Sequence, residues 1–149
     1  MVIFDIDGVL ADTNFRVKKY LKGKSKDDID WDSFFQDSIN DLPIPSGILT
    51  AKAIIDYLPQ SEVMFLTSRP ERFRDITMQW LSENLGVVKS EVDLTMRPDG
   101  NYEPAVVFKE KVGAELGFKN IDLAFDDCSD TVNMWRKHNV ICYQTAKWE

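Results

Sequence analysis

Two aspartates, Asp5 and Asp7, follow directly on a short apolar segment at the start of the chain and precede Gly8. The apolar segment 2–4 predicts a buried β-strand. Residues two apart in an extended chain point to the same side, so the two carboxylates can share one site. Paired carboxylates can supply a nucleophile, an acid or base, or ligands for a hard cation. The same spacing recurs within 28–32, but there it lies in a polar segment.

A second acidic pair, Asp126 and Asp127, follows the apolar segment 123–125. Adjacent carboxylates after a buried strand repel each other unless a cation lies between them. The pair could instead cap the helix that we predict to begin near Asp130. Taken together with Asp5 and Asp7, the pair favours a shared Mg²⁺ site.

A third apolar segment, 63–66, is followed by Thr67, Ser68, Arg69 and Pro70, of which the first two carry hydroxyl groups. We expect a junction between strand and helix here, with Pro70 in the first turn of the helix. Hydroxyls and free N–H groups at such a junction can bind phosphate oxygens, although they could also form a plain N-cap. Lys109, near the start of a predicted helix, could reach the same crevice or lie on the surface as most lysines do.

The elements that must position these residues alternate between strand and helix. Apolar, β-branched segments and helical spacing predict a single α/β domain over 1–149 with a central parallel sheet. In such a sheet the carboxyl ends of the strands form the ligand crevice. We predict strands at 2–4, 63–66, 92–96, 123–125 and 140–143, helices at 48–58, 71–85, 106–116 and 130–137, and a small, partly helical insertion at about 12–45.

Composition narrows the class of protein. The chain has 149 residues, 44% of them hydrophobic, and a formal net charge of −7. It has no apolar run near the ~20 residues of a membrane span, and its start lacks the features of a signal peptide, so we expect a cytoplasmic protein without membrane contact. The acidic balance argues against wrapping of nucleic acid but not against binding a strand end. The basic run at 16–26 could be a solvated helix face or an anion site.

These motifs occur in the order found in the haloacid dehalogenase (HAD) superfamily, which the sequence resembles. The segment 4–9 resembles the first motif, 66–68 the second, Lys109 the third and 126–127 the fourth. The resemblance implies a three-layer α/β/α, Rossmann-like HAD domain with a small helical cap inserted after the first strand. It also implies a phosphatase.

The resemblance implies a role for each acidic residue. Asp5 would be the nucleophile that forms an aspartyl-phosphate, and Asp7 would protonate the leaving oxygen and later activate water. Mg²⁺ would be bound by Asp5, the main-chain carbonyl of Asp7 and Asp126, with Asp127 in support. Val9 stands where the family usually has threonine.

The remaining motif residues would hold the substrate. Thr67 and Lys109 would bind the transferring phosphoryl group, with Ser68 beside Thr67. A closer resemblance, carried by 67–74 and 125–136, is to the 3'-phosphatase domain of phage-type polynucleotide kinase-phosphatase. In that family, arginines that match Arg16 and Arg69 help bind substrate phosphate, and the spacing of Arg97 to Lys109 is similar as well.

Alternatives remain open at the level of substrate and reaction. That family has an acidic residue where this chain has Ala105, for which Glu103 could substitute. The segment 7–12 also resembles small deoxyribonucleotidases, so the substrate could be a nucleic acid end or a free nucleotide. A phosphotransferase or a non-catalytic phosphate-binding module of the same fold would share these motifs. The sequence indicates no obligatory protein partner.

Overall fold

The strands form one large sheet and one short ribbon. The computed structural model describes residues 1–146 of the chain. Its strands are β1 (Val2–Phe4), β2 (Ala11–Asp12), β3 (Leu42–Pro43), β4 (Val63–Pro70), β5 (Asp93–Arg97), β6 (Leu123–Asp126) and β7 (Ile141–Gln144). The five-stranded sheet has the order β5-β4-β1-β6-β7, and every neighbouring pair in it is parallel. This order places β1 at the centre, with β4 and β6 on either side.

Helices cover both faces of the sheet. They are α1 (Asn14–Arg16), α2 (Trp31–Gln36), α3 (Pro45–Tyr57), α4 (Arg74–Leu85), α5 (Ala105–Leu116) and α6 (Ser129–Lys137). Short helical turns lie at Val17–Leu21, Lys26–Asp28, Asp37–Asn40, Gln60–Glu62, Glu71–Phe73, Lys89–Glu91 and Phe118–Asn120. Within residues 1–146, none of the helices combines the length and the apolar character needed to cross a membrane.

The core is divided by the sheet into two layers. Phe4 of β1 packs with Trp80 of α4 on one face, whereas Ile3 packs with Trp135 of α6 on the other. Successive residues of a strand point to opposite faces, so the apolar residues of β1 are buried on both sides. The structure therefore confirms the predicted α/β fold with helices on both sides of a parallel sheet.

Strand β4 is longer than the sequence predicted. It continues through Thr67, Ser68 and Arg69 to Pro70, which pairs with Arg97 of β5 after a bulge. Pro70 therefore ends the strand instead of lying in the first helical turn as predicted, and the helical turn Glu71–Phe73 follows it directly and leads into α4. Pro70 lacks an N–H group, a loss that a strand tolerates best at an end or a bulge.

The segment between β2 and β3 forms the insertion. Ala11 pairs with Pro43 and Asp12 with Leu42 in an antiparallel ribbon that brings its two ends together. The turn that leads into the ribbon contains Gly8 with φ of 77°, a left-handed conformation that glycine adopts without steric cost. Helices α1 and α2 lie within this segment.

Candidate active site

A crevice of about 390 Å³ opens at the carboxyl ends of the central strands. It brings together residues from all four motifs, although those motifs are far apart in the sequence. Its lining residues are Asp5, Asp7, Thr13, Val17, Thr67, Ser68, Ala105, Lys109, Asp127, Cys128 and Thr131.

Strand register places Asp5 and Asp126 side by side. Phe4 of β1 is aligned with Phe125 of β6, and the Asp5 N–H donates to the Phe125 carbonyl oxygen at 3.0 Å. The aligned phenylalanine rings stack with centroids 4.6 Å apart. The two carboxylates that follow these phenylalanines therefore meet at the same edge of the sheet.

Lys109 of α5 bridges the carboxylates of Asp5 and Asp126. Its Nζ lies 2.8 Å from Asp5 Oδ2 and 2.7 Å from Asp126 Oδ2. Although burial lowers the pKa of Lys109, Asp5 and Asp126 outweigh that effect and raise it, so the amine stays protonated. Lys109 is thus a fixed positive charge at the floor of the crevice.

The acids around Lys109 carry more negative charge than one amine can balance. Burial raises the pKa of Asp5, an effect that Lys109 opposes and that Asp126 and Asp127 reinforce. Burial and the neighbouring Asp126 raise the pKa of Asp127 to about 6. Both shifts indicate that a further cation at this position would be electrostatically favourable.

Three of these carboxylates fit a divalent metal ion. One oxygen each of Asp5, Asp126 and Asp127 lies within 4.8 Å of the other two. Hard oxygen ligands from few carboxylates suit Mg²⁺, which keeps several waters and binds substrate phosphate. The Asp126 Oδ1 atom also accepts from the Cys128 N–H at 3.1 Å, which fixes the orientation of that carboxylate.

The side chain of Asp7 contacts a separate pair of cations, Arg16 and Arg69. Its Oδ1 atom is 2.9 Å from Nη2 of Arg16 and 2.6 Å from Nη2 of Arg69. Burial raises the pKa of Asp7, but Arg69 and Arg16 outweigh burial and hold the pKa below its usual value. Because 30% of the Asp7 side chain remains exposed, the carboxylate can act on a group in the crevice.

The two arginines do not themselves line the crevice. Both side chains have 0% exposure and lie behind Asp7. In this structure both arginines contact Asp7, and their role in binding substrate phosphate stays a prediction. Among the basic side chains at 16–26, Arg16 alone is buried. Its charge is compensated there by the carboxylates of Asp7 and Asp41.

Asp41 completes this buried set and was missed by the sequence analysis. Its carboxylate accepts from Arg16 Nε at 2.7 Å and from Arg16 Nη2 at 2.6 Å, and Arg69 Nη2 lies 3.4 Å away. The Trp80 indole N–H donates to the Asp41 carbonyl at 2.8 Å. Asp41 lies just before β3, far from every motif, and no spacing rule connects it to Asp7.

Hydroxyl groups of Thr67, Ser68 and Thr131 also line the crevice. Thr67 is 1% exposed and its Oγ1 accepts from the Arg69 N–H at 3.3 Å. The Oγ atoms of Ser68 and Thr131 are buried and have no hydrogen-bond partner among residues 1–146. Thr131 was not predicted, although its position in the first turn of α6, shortly after Asp126 and Asp127, was a signal that could have found it. Unpaired buried hydroxyls beside an open crevice are suited to a polar ligand.

Two further residues from the sequence analysis, Arg97 and Glu103, lie outside the crevice lining. Arg97 does not line the crevice but lies in an adjoining groove. Glu103 does not replace the acidic residue expected at Ala105, because it pairs with Lys111 and accepts from Asn101. Ala105 lines the crevice, and the acids that contact Lys109 are Asp5 and Asp126.

Solved structures share this fold. One chain in a structure of a Pnkp1/Rnl/Hen1 complex has a TM-score of 0.70 and 20% identity, covering 99% of this chain and 46% of that one. A chain of a Pnkp1/Rnl/Hen1 RNA repair complex also has a TM-score of 0.70 and 20% identity, with coverage of 99% and 42%. The present chain thus spans less than half the length of either.

A third solved structure also shares the fold. It is a haloacid dehalogenase-like hydrolase, SP0104 from Streptococcus pneumoniae, with a TM-score of 0.58, 13% identity and coverage of 98% of this chain and 86% of that one. Together with the sheet order, it confirms the HAD-like fold class. No curated protein matches the sequence.

The sequence itself matches the family model described as "Polynucleotide kinase PNKP phosphatase domain" over residues 1–149. That match covers the whole chain and includes every motif residue of the crevice. The prediction of a HAD-type phosphatase is confirmed at the level of family and enzyme class. The chain belongs to the family of PNKP phosphatase domains.

Proposed function

We propose that this phosphatase removes a 3'-phosphate from a polynucleotide end, depends on Mg²⁺ and acts through an aspartyl-phosphate on Asp5. The observation that carries the proposal is the contact of Lys109 with both Asp5 and Asp126 at the floor of an open crevice. The family description names a polynucleotide enzyme, and one structural relative belongs to an RNA repair complex. Both support a nucleic acid end as the substrate.

The first step is attack by a carboxylate oxygen of Asp5 on phosphorus. The bond between phosphorus and the ester oxygen breaks, and Asp7 gives its proton to that leaving oxygen, which becomes the product hydroxyl. In the second step Asp7 takes a proton from water, the water oxygen attacks phosphorus, and the bond to Asp5 breaks to release phosphate. Such covalent catalysis divides one difficult displacement into two easier ones.

The other groups around the crevice have distinct roles in the reaction. Lys109 orients Asp5 and balances charge on the phosphoryl oxygens, while the Thr67 and Ser68 groups contact those oxygens. Asp5, Asp126 and the main-chain carbonyl of Asp7 would hold Mg²⁺, with Asp127 in support. The ion would supply positive charge to the same oxygens.

Arg16 and Arg69 set the protonation state of Asp7. They favour its ionised form, which is the form needed to take a proton from water. A bound phosphate monoester places negative charge beside Asp7. This charge opposes the arginines, raises the pKa of Asp7 and favours the protonated form that the first step needs. The arginines thereby favour the second step, in which Asp7 acts as a base, and the bound phosphate favours the first, in which it acts as an acid.

The test is a substrate panel in Mg²⁺ and in chelator. It compares a 3'-phosphorylated oligonucleotide, a 5'-phosphorylated oligonucleotide, nucleoside monophosphates and an aryl phosphate. We expect the 3'-phosphorylated oligonucleotide to have the highest kcat/KM, with loss of turnover in chelator and in the Asp5→Asn variant. The exposed Asp56→Asn on α3 is the matched control.

Other outcomes of the panel contradict the proposal in different ways. Preference for free nucleotides identifies a nucleotidase, and transfer of phosphate to an added alcohol in place of water identifies a phosphotransferase. Equal rates for the parent and Asp5→Asn contradict the catalytic mechanism.

A further inference from the structure

A second groove opens directly beside the catalytic crevice. It has a volume of about 400 Å³ and shares Ser68 with the crevice, so the two form one continuous surface. Three separate parts of the chain build it: Trp31 comes from the insertion, Ser68 from the end of β4, and Tyr102 from the loop after β5. We call this surface the side groove.

The side groove presents two aromatic side chains to solvent. Trp31 is 40% exposed and Tyr102 is 91% exposed, although aromatic residues are costly to leave in water. The Trp31 ring is held in place by Phe34, which packs edge-on, and by Phe35, with which it stacks. A fixed tryptophan face beside a free tyrosine is suited to stacking of a planar base.

The charged side chains that line the side groove are cations. Its charged lining residues are Lys26, Arg72 and Arg97, and no acidic residue lines it in the part of the chain that the structure describes. Asp32 and Asp99 balance Arg72, so Lys26 and Arg97 are the lining cations left for a ligand, in a chain with a formal net charge of −7. These two cations are complementary to a phosphodiester.

Arg97 is a lining cation with unused hydrogen-bonding capacity. Arg72 is already paired with Asp32 and Asp99. By contrast, the buried Nε of Arg97 has no hydrogen-bond partner within the described residues 1–146. Burial lowers the pKa of Arg97 and Glu103 opposes this, which indicates a charge without a close acidic partner.

We infer that the side groove binds the nucleotide next to the scissile phosphate. Its base stacks on Trp31 and Tyr102, and the internucleotide phosphodiester lies beside Arg97. This inference rests on the proposed function and extends it, because the groove selects a polynucleotide end over a mononucleotide. A free mononucleotide lacks the phosphodiester and cannot use Arg97 while its own phosphate occupies the crevice.

The test measures binding independently of turnover. A short 3'-phosphorylated oligonucleotide with a dye at its 5' end is titrated against Asp5→Asn protein in Mg²⁺, and fluorescence anisotropy reports Kd. Adding Tyr102→Ala, Arg97→Gln or Trp31→Leu should raise Kd by about tenfold each, the usual scale of one base stack or one phosphate contact. Tyr57→Ala, which removes an aromatic side chain with 86% exposure at the far end of α3, should leave Kd unchanged.

Kinetics then separates the side groove from the catalytic site. When made in protein that retains Asp5, the same three variants should lower kcat/KM for the oligonucleotide about tenfold more than for a small aryl phosphate. Unchanged Kd in all three variants, or an equal loss for both substrates, overturns the inference. If the oligonucleotide binds through these residues but is not hydrolysed, the side groove still binds a nucleotide, but the proposed function fails.

Discussion

The Arg16 guanidinium lies 2.6 Å from the carboxylate of Asp41, and both side chains are buried. Arg16 belongs to the first helix of the insertion and Asp41 to its end, so the pair joins the two ends of the insertion to the site. Asp41 also accepts from Arg69, which places one acid behind two cations. The arginines are thereby held against Asp7 while their excess charge is balanced.

Asp41→Asn should weaken both stability and catalysis. The change keeps the side-chain shape but leaves Arg16 buried with reduced compensation, and breaking a buried pair costs about 3 kcal/mol. We expect a loss of this size in the free energy of unfolding, measured by urea denaturation, and a lower kcat with a smaller change in KM. A variant that melts like the parent would show that Asp41 does not hold the arginines.

Lys109→Met should make the protein depend more strongly on Mg²⁺. The change removes the amine that contacts Asp5 and Asp126, so repulsion among the buried carboxylates increases. We expect kcat to fall at least about a hundredfold and the rise in Tm on adding Mg²⁺ to exceed that of the parent. Lys111→Met is the control, because Lys111 is on the same helix with a side chain 60% exposed. An equal Tm response in both variants would contradict the carboxylate cluster as the metal site.

Gly47→Ala should destabilise the turn that carries Asp7. A Cβ at Gly47 of α3 would lie 1.9 Å from the carbonyl oxygen of Val9, which is a steric clash with main chain. We expect the free energy of unfolding to fall by about 3 kcal/mol, with the neighbouring Ser46→Ala within the error of the parent. Thermal or urea denaturation checks this, and a parent-like Gly47→Ala would show that α3 can move away from the turn at no cost.

Asp37 should contribute a small, pH-dependent term to the stability of the insertion. Hydrogen bonds from Lys19 and Asn40 lower the pKa of Asp37 to about 2. A carboxyl group with a depressed pKa stabilises the folded state above its unfolded pKa of about 4, and this stabilisation is lost as pH falls toward 2. Because Lys19 is 49% exposed and solvent screens the pair, Asp37→Asn should cost less than about 1 kcal/mol at pH 7.

The measurement is the difference in unfolding free energy between parent and Asp37→Asn from pH 7 down to pH 2. The difference should shrink between pH 4 and pH 2. A difference that stays constant over this range would assign the effect to packing of the side chain instead of its charge.

The sequence predicted the sheet and the acidic cluster because both depend on local patterns. Apolar β-branched segments identify buried strands, and parallel strands must bring Asp5 and Asp126 to one edge. The end of β4 was mispredicted for a local reason as well. Pro70 favours a helix start in general, but here the bulge against β5 lets it end a strand.

The parts that sequence could not predict depend on long-range contacts. Asp41 acquires its role only when the ribbon of β2 and β3 returns the insertion to the sheet. Arg16 was identified by resemblance, yet its burial behind Asp7 follows from the packing of the insertion. The side groove likewise forms only when Trp31 and Tyr102 are brought together from segments distant in the chain.

The most direct measurement of the central claim is a search for phosphate on Asp5. The protein is mixed with a 3'-phosphorylated oligonucleotide and Mg²⁺, quenched in acid within milliseconds, digested and analysed by mass spectrometry. We predict a phosphoryl adduct on the peptide that contains Asp5, with none in the Asp5→Asn variant. Turnover without any adduct at the earliest times, or an adduct on another residue, would contradict the account.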